Sequence, residues 1–154
     1  MTSFLSCAHL FFAVLVLAGP VVALILLRQP FDVHTAKRLQ QVDLVNGIAA
    51  TLVLVIGLVR LFYFGKGAHY YFHNLPFIGK LTLYGVASGL SLVSTLEIRR
   101  WAAPLKSGCL PVVSERKWGV MRSALGWQTV CVVGMVVFAV LAADGVDVGI
   151  DSSG

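Results

Sequence analysis

Four long apolar runs, interrupted by charged connections, constrain this chain more than any other feature. They begin near Phe4, Leu44, Phe77 and Val120, and each is about 20 residues long. At ~1.5 Å rise per residue, a helix of ~20 apolar residues crosses the ~30 Å hydrocarbon core of a bilayer. Inside lipid the backbone amides and carbonyls must be satisfied internally, so such runs are read as helices. The expected fold is all-α: an integral membrane antiparallel four-helix transmembrane bundle. It forms one domain over residues 1–154, with spans at about 4–27, 43–64, 77–98 and 120–143.

The composition agrees. The chain is 58% hydrophobic and 12% charged, against about 25% charged in soluble domains, which excludes an ordinary soluble globule. The net charge of +5 does not indicate a nucleic-acid partner, because the basic residues stand at the ends of apolar runs and form no soluble basic face. The expected partner is the lipid bilayer. The first run has no basic residue before it and exceeds the ~7–15 residues of a signal core, so it is read as a retained span. Cys7, Cys109 and Cys131 show no C-x-x-C spacing, which argues against a disulfide framework or zinc site; Cys7 and Cys131 are expected to be small apolar fillers.

Orientation follows from the cations. Arg28, Lys37, Arg38, Arg99, Arg100, Lys106, Arg116, Lys117 and Arg122 lie in or beside the first and third connections, and only Arg60, Lys66 and Lys80 lie at the other side. The positive-inside rule places those two connections in the cytoplasm and both termini outside.

The connections have local signatures. Asp32 is a candidate N-cap, and the stretch to about Val42 is expected to extend span 2. Gly65-Lys66-Gly67 ends span 2, and the segment with His69, Tyr70, Tyr71 and His73 suits a membrane interface. Asn74 and Pro76 read as a helix start. Pro104, Gly108 and Pro111 predict a true loop, and Ser114 is a candidate N-cap for span 4.

Ionisable groups within spans are costly and therefore informative. Asp43 and Glu97 are expected to pair with Arg28, Arg38, Arg99 or Arg100. His9, Arg60 and Lys80 come from three spans at similar depth, and facing inward they would surround one cavity attractive to an anion. The alternative is snorkelling of Arg60 and Lys80 to the headgroups. Helical spacing puts Lys80, Tyr84, Ala87, Ser88, Ser91, Ser94 and Thr95 on one stripe. Others are Asp43, Gly47, Ala50, Leu54 and Gly57, with Arg60 beyond; His9, Ala13, Pro20 and Ala23; and Trp127, Cys131 and Gly134 beside Met135. No G-x-S-x-G, H-E-x-x-H, carboxylate cluster or phosphate-binding glycine loop occurs, and the apolar span middles argue against a channel.

A four-helix bundle holding haem needs an axial His or Met and cations for two propionates. His9 supplies the first, with His69, His73 or Met135 as the second ligand or an open position, and Arg60 with Lys80 supplies the rest.

Motifs across the chain resemble a bacterial family of four-span inner-membrane proteins, the domain of unknown function 2214. They are Arg38-Leu39, Asp43 with Gly47, Gly57-Leu58-Val59-Arg60, Gly65-Lys66-Gly67-Ala68, Tyr70-Tyr71, His73-Asn74 and Phe77-Ile78-Gly79-Lys80-Leu81, with His9 and Arg28 in the first span. The family is distantly similar to J-type protoporphyrinogen oxidases and D-type copper-resistance domains. That resemblance associates a first-span His with haem b and a third-span Lys with a context like Phe-Ile-Gly-Lys-Leu, which His9 and Lys80 match. Span 3 lacks a later histidine, so the resemblance implies haem b or porphyrin binding rather than oxidase activity. It also implies a bacterial inner membrane with periplasmic termini. Two further readings stand beside it: a cofactor-free accessory subunit or scaffold, in a homo-oligomer or larger membrane complex, and a copper-handling protein using His9, His69 and His73.

Overall fold

The computed structural model describes residues 2–63 and 75–143. Among them every regular element is a helix: α1 (Thr2–Leu26), α2 (Val33–Tyr63), α3 (Leu75–Arg100), α4 (Ala102–Lys106) and α5 (Glu115–Ala143). Apolar segments of 24 to 31 residues in α1, α2, α3 and α5 are long enough to cross a membrane.

Several helix ends have a local reason. At the start of α2, Asp32 Oδ1 accepts the Thr35 amide at 2.6 Å, which satisfies one of the amides a helix N-terminus leaves unpaired. The helix then runs unbroken through the polar stretch into the span, as expected. Pro76 falls in the first turn of α3, where its missing amide costs nothing. The Ser114 carbonyl accepts the Trp118 amide at 3.1 Å, so the chain turns into α5 there. The third connection departs from the expected loop. Residues Ala102–Lys106 form the short α4, with Pro104 in its first turn, where proline is tolerated. Gly108 then takes φ +74°, a conformation that favours glycine.

Each long helix packs beside two others. α1 and α5 are neighbours, α2 lies beside α1, and α3 lies beside α5; α2 and α3 are also adjacent but approach least. Contacts descend one helix as they climb the next: an added Cβ on Gly57 would meet His9, and one on Gly19 would meet Asn46. The ends of α1 and α3 therefore meet the starts of α2 and α5 at one end of the bundle, here the basic end. The other end is the His9 end.

Two apolar clusters fill the interior. One, at the basic end, includes Ala23, Leu26, Leu39, Ile98, Trp101, Met121 and Leu125. It is capped by Phe31, Trp101 and Trp118, whose rings meet edge-on at 5.4 and 4.8 Å. The other includes Val16, Ala49, Ala87, Cys131 and Val132. In the register between them lie three buried polar residues, Asn46, Ser94 and Gln128. The span middles are thus not wholly apolar, contrary to expectation. Lipid offers no hydrogen bonds, so these side chains turn inward.

That rule also corrects two stripes. On α2, Asn46 and Ala49 are buried while Gly47 is exposed. On α5, Gln128 is buried while Trp127 is 62% exposed. The stripes on α1 and α3 face inward as expected, with Pro20, Ala23, Ala87 and Ser94 buried. All three cysteines are unpaired; Cys131 is buried, whereas Cys7 and Cys109 are exposed.

Candidate functional site

At the His9 end the four long helices line a cavity of about 520 Å³. This lies within the ~300–1,000 Å³ range of ligand and cofactor sites. His9, Arg60 and Lys80 all stand on its wall, with Tyr84, Met135 and apolar side chains. The structure therefore brings together the three groups singled out from the sequence.

His9 is positioned by α2. Its imidazole lies beside the backbone of Val53 and Gly57, and an added Cβ on Gly57 would sit 3.4 Å from its Cε1 and 4.0 Å from its Nδ1. A side chain larger than alanine at Gly57 would meet the ring. Nδ1 is buried on the α2 side of the ring.

The two cations differ. Lys80 is half-buried, with Nζ 5.7 Å from the centroid of the Phe77 ring, a cation–π distance. Arg60 is exposed yet lines the cavity. No acidic residue is among the lining side chains. Among the described residues, the two cations share the cavity wall with no carboxylate, and a positive field in a largely apolar space favours an anionic group on an apolar body.

Tyr84 forms part of the wall, and its hydroxyl donates to the Ala50 carbonyl at 2.9 Å. Sequence reading placed Tyr84 on the inward stripe without finding this bond. Of the expected second axial candidates, Met135 lines the cavity with His9. His69 and His73 lie outside the described residues, so the copper set falls partly outside them as well. Among the described residues, no three His, Cys, Asp or Glu side chains cluster to hold a metal ion.

The acidic pair at the basic end is arranged differently from expectation. Asp43 Oδ1 accepts from Thr95 Oγ1 at 2.7 Å rather than pairing with an arginine. A hydroxyl is short enough to reach across the α2–α3 seam within the membrane. Glu97 meets Arg100 at 3.3 Å, as expected, and also Lys117 of α5 at 2.8 Å. This ties two helix ends and leaves the cavity chemistry to the other end.

A protein-family model described as "Predicted membrane protein (DUF2214)" matches residues 1–147. The match takes in α5, beyond the last motif recognised in the sequence. No curated protein and no solved structure matches the chain.

Proposed function

We propose that this chain, which belongs to the DUF2214 family of predicted membrane proteins, binds haem b or a related porphyrin in the cavity at the His9 end. The observation that carries the reading is one imidazole, His9, standing with two cations on the wall of one largely apolar cavity. His9 would be the axial ligand, held in orientation by the α2 backbone, as ligating histidines are oriented by their surroundings. Arg60 and Lys80 would hold the propionates, and Met135 would be the second axial candidate. When bound, haem supplies one-electron chemistry, and the protein sets its ligation, burial and access. In the membrane this reading puts the basic end at the cytoplasm and the cavity at the outer leaflet of a bacterial inner membrane.

The test is a titration of the purified protein with ferric haem and, separately, with metal-free protoporphyrin. The reading predicts that His9→Ala lowers haem affinity at least ten-fold and leaves metal-free porphyrin binding within two-fold. Replacing Arg60 and Lys80 together with methionine should weaken both ligands. Binding of haem that is indifferent to His9→Ala would contradict the assignment.

A further inference from the structure

Among the described residues, the side-chain bridges of the α2–α3 seam lie between its basic end and Tyr84. These two helices are the adjacent pair that approaches least, and side-chain hydrogen bonds bridge them among the described residues. Gln40 Nε2 donates to the Ile98 carbonyl at 3.2 Å, Thr95 to Asp43 at 2.7 Å, and Tyr84 to Ala50 at 2.9 Å. The bridges climb from the basic end and reach Tyr84, on the cavity wall. Toward the His9 end the wall continues with Leu54 and Leu58 of α2 and Leu81 of α3. These side chains line the cavity yet remain 36%, 41% and 42% exposed. Each therefore keeps surface uncovered along the stretch where α2 and α3 approach least, in the surroundings of a membrane-spanning helix. Those surroundings are acyl chains.

We infer that the cavity opens sideways to the bilayer and takes its ligand from the membrane phase, as an anionic amphiphile entering between α2 and α3. Its apolar body passes Leu54, Leu58 and Leu81, and its charged end stops at Arg60 and Lys80. The depth of the cations makes this route inexpensive. Arg60 lies three residues from the end of α2 and Lys80 five from the start of α3. A membrane-dissolved anion keeps its charge near headgroup level, because charge is costly at the bilayer centre. The ligand can then move laterally at constant depth without submerging that charge. The identity of the ligand as haem rests on the proposal above; the direction of entry rests on the seam.

Two measurements test the inference. In liposomes, a nitroxide is attached at Met135→Cys in a chain whose three cysteines are alanine. Collisions with oxygen, which concentrates in lipid, are compared with those of a water-soluble nickel chelate, using Val130→Cys as the lipid-facing control. Lateral opening predicts an oxygen-dominated profile like the control; a nickel-dominated profile would overturn it, whether or not haem binds. The second uses the native cysteines and follows haem transfer from loaded liposomes. Leu58→Trp with Leu81→Trp should slow loading from liposomes at least ten-fold more than it slows loading of the same variant from detergent-dispersed haem, and Val130→Trp should slow neither. An unchanged loading rate, or equal slowing from the two sources, would overturn lateral entry. Absence of haem uptake by the unmodified protein would instead defeat the cofactor reading and leave the nitroxide result to decide the route.

Discussion

The Tyr84 hydroxyl donates to the Ala50 carbonyl at 2.9 Å, joining α3 to α2 where the bridged part of their seam meets the cavity. The bond supplements the helix's own ladder, since a carbonyl has two lone pairs. Tyr84→Phe removes it and little volume. The expected loss of stability is about 0.6 kcal/mol, the mean found for such bonds within bilayers. Unfolding in mixed micelles measures it. A loss of several kcal/mol would mean that Tyr84 does more than bridge the seam.

Gly19 of α1 packs directly against the Asn46 side chain of α2. A Cβ added at Gly19 would sit 2.9 Å from Asn46 Cβ, an atom that cannot swing away without moving the backbone. Gly19→Ala should destabilise the bundle by ~1–3 kcal/mol, the usual range for overpacking. Asn46→Ala does not remove that Cβ, so it should recover only part of the loss, whereas Asn46→Gly should recover most of the clash. A double-mutant cycle reads the coupling. Additive effects would show that the two helices separate freely.

Gly57 gives a graded test of the site. An added Cβ would sit 3.4 Å from His9 Cε1, ordinary van der Waals contact, so Gly57→Ala should leave haem affinity within a few-fold. Gly57→Leu would fill the space the imidazole occupies and should lower affinity at least ten-fold. Equal affinity for both variants would argue that His9 does not ligate from this position.

Asp32 carries a pH dependence outside the membrane. Hydrogen bonds from the Thr35 amide and then its hydroxyl hold the carboxyl below its ordinary value. A depressed folded pKa stabilises the folded state above the unfolded pKa of ~3.9, and this contribution fades as pH falls through the lower folded value. Asp32→Asn keeps a capping oxygen and should lack this acid-dependent loss, while Asp32→Ala should be destabilised at neutral pH as well. Helicity followed by circular dichroism between pH 7 and 3 distinguishes the three chains. Identical acid profiles for native and Asp32→Asn would show that the cap does not titrate with folding.

Much of this architecture is legible in residue order, and the rest fails for identifiable reasons. The spans follow from run length, and Asp32 marks where α2 begins. The meeting of His9, Arg60 and Lys80 follows from depth alone, because their helices share an end. The rotation of α2 and α5 is harder to read. In lipid both faces of a helix are apolar, so Leu44, Val45 and Ile48 look like core while facing outward. Asn46 and Gln128 are the signals that would have oriented both helices, since an amide has no partner in lipid. Trp127 beside Gln128 turns outward as a consequence. The seam between α2 and α3 is invisible in hydropathy, which ranks residues by polarity and says nothing about which helices are neighbours.

The central claim is that His9 ligates haem between these helices. It is tested most directly by the absorption spectrum of the detergent-purified protein, oxidised and dithionite-reduced, beside His9→Ala prepared identically. The account predicts a Soret band that shifts on reduction in the native chain and is lost in the variant. A native protein that is colourless, and stays so after incubation with haem, would contradict it.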